Sequence, residues 1–436
     1  MYIVYSLLLG FAALISLPWW LLQMARLGKY RAGFSERMGR VPPRLRQGNA
    51  SGSIWIHAVS VGEVLAISQL VGELTRREPQ RQIFVSTTTA TGQALARQRF
   101  GEKRVFYMPL DFGFCLRPYF ESLRPELLIL AETEFWPNLL HLAKKNGVRI
   151  AVANARISDR SFPRYRRFRW FFSRVLSDID LFLAQTEEDA GRLKQVGARA
   201  ERVAVSGNLK FDIRLSGESP IVSQLRNAIT ANAPVLVCGS TTEGEEELVL
   251  PAFRQLLQQF PETVMILAPR HPERFEKVAG LVVSSGLTLT RRSTWVPESG
   301  SIPPGSIFLL DSVGELAAVY ALADVAFVGG SLVPLGGHNI LEPAQHGVAV
   351  LTGSHTFNFR EIVRIFQQSR GQQGAGLRIV TAENLGATFS ELFRNPEERK
   401  KLGQRARELF IANTGATSRT LAALQPLLNR TTATHQ

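Results

Sequence analysis

A chain of 436 residues is too long for one ordinary core, so two domains are expected. Its 51 Lys and Arg outnumber 37 Asp and Glu, giving +14, and that surplus points to an anionic partner: nucleic acid, acidic lipid or a phosphorylated substrate. Ordinary hydrophobic content excludes disorder, and two distant cysteines, Cys115 and Cys238, indicate neither a disulfide framework nor a zinc site.

Residues 2–22, YIVYSLLLGFAALISLPWWLL, carry no charge. About 20 helical residues suffice to cross a bilayer core. Trp19 and Trp20 stand where interfacial aromatics belong, and Arg26, Lys29, Arg31, Arg37, Arg40, Arg44 and Arg46 follow against one acid, Glu36. The positive-inside rule then puts the rest of the chain in the cytoplasm behind a single-pass anchor. No basic region precedes the apolar stretch and no A-x-A site follows it, so a cleaved signal is disfavoured. Pro18 leaves open a helix that dips into one leaflet.

Apolar runs then alternate with helix-length amphipathic segments. Strands are expected at 53–59, 82–86, 104–108, 126–131, 148–153 and 180–184, and again at 234–239, 263–268, 285–290, 306–310, 324–328 and 348–352. Alternation of this kind implies parallel βαβ units, and the polar break at 206–220 divides them into two similar α/β halves. A last helical segment spans about 396–429. Ligands of such sheets bind outside the carboxyl ends of the strands, so motifs just after strands are the candidates for chemistry.

In the first half, IWIHAVSVGEVLA (54–66) puts Glu63 after a strand and at a helix start. It reads equally as a helix-start charge or as a base, and the helix dipole is expected to keep it ionised at neutral pH. STTTATG (86–92) offers hydroxyls, including Thr88, and is mostly explained by helix capping. ILAETEFWPNLL (129–140) places Glu132 and Glu134 at alternate positions of a strand exit, and the expectation is that they point to opposite sides, with at most one facing the site. NARISDRSFPRYRRFRWFF (154–172) interleaves Arg156, Arg160 and further arginines with aromatics. It suits anionic lipid headgroups, nucleic acid, or no partner at all. GNLKFD (207–212) brings Lys210 to the end of this half, where it can offset charge on a phosphate or a developing anion.

In the second half, FVGGSLVPLGGHNILEP (327–343) is a strand, a glycine loop and a helix start near His338–Asn339. Glycines let backbone N–H groups approach a ligand, a helix N-terminus favours an anion, and Glu342 can accept both hydroxyls of a ribose. The plainer alternative is a strand–turn–helix junction. MILAPRHPERF (265–275) offers Arg270 for a phosphate or base, although alone it is an ordinary surface arginine. DSVGEL (311–316) exposes backbone groups of Val313, Gly314 and Glu315. Glu245, Glu246 and Glu247 in CGSTTEGEEEL read as helix-start charges. His271 and His338 lack a ligand cluster, so no metal site is expected.

Taken together, VSVGE (59–63), AETEFWPN (131–138), NARISDRS (154–161), GNLKFD, APRHPERF (268–275) and FVGGSLVPLGGHNILEP resemble the bacterial transferases of 3-deoxy-D-manno-octulosonic acid (Kdo). The resemblance runs in order from the anchor to at least residue 360. It implies a GT-B fold: an anchor at 1–24, an acceptor-binding Rossmann-like domain at 25–215 and a CMP-sugar-binding one at 216–436, its last helix packing back on the first. It implies an inverting, metal-free transfer of Kdo from CMP-Kdo to the lipid A precursor lipid IVA, beside the anionic inner leaflet, with no cofactor, nucleic acid or protein partner. The family's base falls on Glu63 and its transition-state stabilisers on Glu132 and Lys210. Its CMP-Kdo contacts fall on Pro269, Arg270, Val313, Gly314, Glu315, Asn339, Ile340, Leu341 and Glu342. Ser60, Thr88, Arg156 and Arg160 are the candidates for the acceptor. The alternatives are another GT-B sugar-nucleotide enzyme, a UDP-sugar transferase or epimerase, and a membrane-tethered nucleic-acid binder.

Overall fold

The computed structural model describes residues 1–27, 32–46, 52–212, 219–231, 233–297, 300–368 and 374–429. Residues 213–218 of the polar break, Lys29 and Arg31 of the basic segment, and the C-terminal tail lie outside them. The chain divides into two compact units, one of Met1–Arg214 with Asn413–Gln436 and one of Leu215–Ala412.

The first unit holds a seven-stranded parallel sheet: β1 Ser53–His57, β2 Gln82–Thr87, β3 Val105–Tyr107, β4 Pro125–Ala131, β5 Arg149–Ala155, β6 Leu181–Ala184 and β7 Val203–Val205, in the order β3-β2-β1-β4-β5-β6-β7. Its central strands are almost continuously buried, which is why they read as unbroken apolar runs. Successive side chains alternate between two cores. Trp55, Leu128 and Leu130 face one, with Phe106 and Phe182; Ile54, Ile56, Leu127 and Ile129 face the other.

The second core is completed by the end of the chain. The expected segment 396–429 is two helices, Pro396–Ala412 and Ala416–Asn429, parted at Gly415 with φ 87°. The last helix belongs to the first unit, where Leu421, Leu424 and Leu428 join Ile67, Leu70 and Leu74 of the helix Val61–Arg77. Asp212 receives the amides of Gly415 and Thr417 and so holds that helix at its start.

The helix Tyr2–Leu27 also touches the first unit. Tyr2, Tyr5, Ser6 and Leu9, at i, i+3, i+4 and i+7, are half-buried, as are Gly10, Ser16 and Met24 further along. Tyr2 stacks on His141 with ring centroids 3.9 Å apart, and its hydroxyl donates to Asp178 at 2.7 Å. Ser6 and Asn138 exchange hydrogen bonds of 3.2 and 2.9 Å.

The second unit repeats the architecture: β8 Val235–Thr241, β9 Val264–Pro269, β10 Leu289–Arg291, β11 Ile307–Leu309, β12 Val325–Val328, β13 Ala349–Thr352 and β14 Arg378–Ile379, in the order β10-β11-β9-β8-β12-β13-β14. Both sheets are parallel throughout and change strand order beside their first strand, at β1/β4 and at β8/β12. In doubly wound sheets that switch point opens a crevice for ligands. The sequence reading missed β7 and β14, which are edge strands of three and two residues, too short for a periodic signal. β10 overlaps the end of the expected 285–290, beginning four residues later than expected and ending at Arg291.

Candidate functional site

The first unit's switch point gathers the first constellation. β1 ends at His57, and Ser60 caps the helix Val61–Arg77, its hydroxyl accepting from the Glu63 amide. Glu63 closes back on the turn: Oε2 accepts from the Val59 amide and Oε1 from the Ser60 hydroxyl, both at 2.8 Å. These bonds fix its carboxylate at the strand end, and only 8% of the residue is exposed. Burial pushes its pKa up to about 7; the Glu132 charge adds to this and, less strongly, Glu134, against the lowering by Val59 and Ser60. The expectation that the helix dipole keeps Glu63 ionised at neutral pH is therefore corrected. Desolvation and two like charges outweigh a dipole contribution that is typically about 0.3–1 kcal/mol.

Glu132 and Glu134 were expected on opposite sides of a strand. β4 ends instead at Ala131, and Glu132 takes a left-handed conformation with φ 57°. Both charges are felt at Glu63, against that expectation: positions two apart share a face of an extended strand, so the spacing itself never put them on opposite sides. Glu134 is itself raised by burial and by Glu132. Lys210 pairs with this negative cluster, its Nζ 3.7 Å from Glu132 Oε1.

Asn154 sets that geometry and was not singled out by its sequence. It is fully buried at the end of β5, also left-handed at φ 57°, and its Oδ1 accepts the Leu209 amide at 3.0 Å. The turn that carries Lys210 is thus tied to the strand next to Glu132's. Asn is one of the few side chains that tolerate this backbone, which is the signal NAR offered.

Thr89, not Thr88, caps the following helix, accepting the Gly92 amide at 3.1 Å. The Thr88 hydroxyl is buried with no hydrogen-bond partner. Arg156 is half-buried and its charge acts on Asp189, whereas Arg160 is exposed.

The second constellation forms at the β8/β12 switch point. Glu245 was read as a helix-start charge but is fully buried. Its carboxylate accepts the amides of Gly330 at 2.6 Å, Ser331 at 2.9 Å and Leu332 at 2.9 Å, and the Thr242 amide and hydroxyl at 3.0 and 2.9 Å. Five donors replace the water such a charge loses. Glu246 is also buried, in a two-pronged pair with Arg274 at 2.7 Å; only Glu247 of the three is exposed. The glycines fit the clamp: a Cβ on Gly329 would fall 2.7 Å from Glu245 Oε2, and one on Gly330, at φ 69°, 2.7 Å from the His338 ring.

The helix expected near His338–Asn339 begins at Leu341 and has five residues, so it offers little macrodipole. Asn339 organises its start, its Oδ1 accepting the Leu341 amide at 3.2 Å while its Nδ2 donates to Glu342 at 3.1 Å. Burial raises Glu342, while Asn339 and the Arg270 charge pull it down. His338 is held neutral, its pKa lowered to about 4 by burial and by Arg270. Arg270, His338 and Glu342 therefore form one neighbourhood, with Arg270 exposed and Pro269 buried at the end of β9. Ile340 and Leu341 are core residues, so only their backbone can meet a ligand. Val313 is exposed, Gly314 has φ 93°, and Glu315 is paired with Arg292 at 3.2 Å. Among the described residues no cluster of three or more His, Cys, Asp and Glu has a metal-holding arrangement.

Two Rossmann-like units with polar constellations at their switch points define a GT-B protein. The UDP-GlcNAc 2-epimerase from Neisseria meningitidis bound to UDP-GlcNAc shares this fold at a TM-score of 0.58, with 13% identity over 86% of this chain and 100% of that one. The family profile of 3-deoxy-D-manno-octulosonic-acid transferase (kdotransferase) matches residues 32–213. The 3-deoxy-D-manno-octulosonic acid transferase of Haemophilus influenzae is 37% identical over 92% of this chain and 93% of that protein. That of Bordetella pertussis is 35% identical over 98% and 99%. The chain belongs to the family of 3-deoxy-D-manno-octulosonic acid transferases and is a glycosyltransferase.

Proposed function

We propose that the chain transfers Kdo from CMP-Kdo to the phosphorylated lipid A precursor lipid IVA, with inversion at the anomeric carbon, at the cytoplasmic face of the inner membrane. The observation that carries this reading is the buried Glu63, with a pKa raised to about 7 beside the Glu132–Lys210 pair, in a chain of this family. A sugar hydroxyl is a poor nucleophile, and a base whose pKa lies near the working pH is the most effective at taking its proton. Glu63 removes that proton as the hydroxyl oxygen bonds to the anomeric carbon and the bond to the CMP phosphate oxygen breaks. Lys210 and Glu132 set the local charge around the developing transition state.

CMP needs no proton to leave, only charge stabilisation. Arg270 supplies it, beside the loop that Glu245 holds in place. Glu342, steadied by Asn339, accepts the ribose hydroxyls, and the Val313–Glu315 turn meets the base. Ser60, Thr88, Arg156 and Arg160 serve the acceptor. No step needs a metal ion.

Purified protein incubated with CMP-Kdo and lipid IVA is expected to release CMP and give a lipid heavier by one or more Kdo units on mass spectrometry. Absence of product, or calorimetric affinity for UDP above that for CMP, overturns the assignment.

A further inference from the structure

The helix Tyr2–Leu27 is long and apolar enough to cross a membrane, with a mean hydropathy of 1.8 over Tyr2–Trp20. Composition therefore favours a span, but the contacts at the two ends of this helix do not. Its first turns pack on the first unit through Tyr2, Tyr5, Ser6 and Leu9, with bonds to Asp178 and Asn138. Beyond its other end the chain is back on the same unit: Gly33 lies against the Tyr107 ring, the Tyr107 amide donates to Glu36, and Leu110 donates to the Arg37 carbonyl.

A spanning helix must put Tyr2 and Gly33 on opposite sides of a hydrocarbon layer about 30 Å thick. With Tyr2 outside, the bonds to Asp178 and Asn138 cannot form. With Tyr2 at the unit and Leu27 outside, the six peptide steps to Gly33 must recross the layer, yet they reach roughly 22 Å at most. The helix is about 39 Å long at 1.5 Å per residue. It must lean along the unit so that Leu27 stays within reach of Gly33.

The face turned away from the unit is apolar. Ile3, Leu7, Phe11, Leu14 and Ile15 are each more than 60% exposed. Next to the docked turns, Tyr5 faces Phe171 at 6.4 Å, and the neighbouring Trp170 is 72% exposed. Arg164, Arg166, Arg167, Arg169 and Arg174 are exposed on the helices Phe162–Arg167 and Arg169–Leu176. An apolar face with a cationic border matches the acyl–headgroup boundary of an anionic leaflet.

We infer that the N-terminal helix lies in the plane of one leaflet, its polar stripe docked on the first unit and its apolar face among the acyl chains, and does not cross the bilayer. The cytoplasmic leaflet is the one occupied, and both ends of the helix stay on that side. The inference rests on the membrane location proposed above but not on the reaction.

The test uses the full chain in inner membranes of a Gram-negative host. The native Cys115 and Cys238 are buried and serve as a silent background. A cysteine tag added before Met1 is expected to resist an impermeant maleimide in cells with a permeabilised outer membrane, and to react once the inner membrane is broken. Ser6→Cys with Asn138→Cys, and separately Tyr2→Cys with Asp178→Cys, are expected to join through a short thiol cross-linker in isolated membranes. Labelling of the tag in intact cells, or failure of both pairs to cross-link, overturns the inference. Neither readout depends on turnover, so an inactive protein with a docked helix would reject only the proposed reaction.

Discussion

Two opposing effects set the proton affinity of Glu63. Burial and the charges of Glu132 and Glu134 raise it; hydrogen bonds from Val59 and Ser60 lower it, and the first group prevails. If Glu63 is the base, the transfer rate is expected to rise with pH through an acid limb near 7, because only the deprotonated form accepts a proton. Glu132→Gln removes a like charge and should move that limb to lower pH. A limb that stays in place would show that the Glu132 charge does not reach the base. Glu63→Gln should keep CMP affinity while lowering the rate about 10²–10⁴-fold, and near wild-type turnover would reduce Glu63 to a cap.

The same shift has a stability counterpart. The folded-state pKa lies above the ordinary carboxylate value, so the contribution of Glu63 to stability is complete at low pH and is lost as pH rises through about 7. Glu63→Gln should therefore melt higher than wild type at pH 8, with the gain shrinking toward pH 5. A gain independent of pH would contradict a buried, strained charge.

At the scale of elements, Glu245 links the turn after β8 to the loop after β12. Its three amide partners, Gly330 to Leu332, are successive residues of the loop proposed to meet the donor. Glu245→Ala would leave those buried donors unpaired, at about 1–3 kcal/mol each. Lower melting and a donor affinity weakened by roughly tenfold or more are expected, since 1.4 kcal/mol already makes a factor of ten. Unchanged CMP affinity in a folded variant would separate the clamp from the donor site. Part of this was open to sequence reading: Thr242-x-x-Glu245 has capping-box spacing. The rest was not, because the loop it holds lies 85 residues further on.

At the scale of the molecule, the last helix closes the core of the first unit. Leu421, Leu424 and Leu428 are nearly fully buried there. Leaving them exposed or absent forfeits about 2 kcal/mol each, comparable to the marginal stability of a whole domain. Truncation before Ala416 is expected to lower the melting of the first unit sharply, or to leave it insoluble, while leaving the second unit's transition nearly unchanged. Calorimetry that finds both transitions unchanged would show the helix to be an appendage.

The sequence alone determined the two parallel α/β units, the strand-end positions of Glu63, Glu132, Arg270 and the 329–330 glycines, and the family. Each of these follows from local pattern. Strands buried on both faces must be apolar throughout, a parallel sheet brings its strand ends to one edge, and ordered motifs survive as strings. Only the tertiary structure decided that Glu63 sits near neutrality, that Glu132 and Glu134 both act on it, that Asn154 holds the Lys210 turn and that Glu245 is a buried clamp. It also decided that the first and last helices return to the same unit. These depend on desolvation and on contacts between residues tens or hundreds of positions apart, and no local period records either.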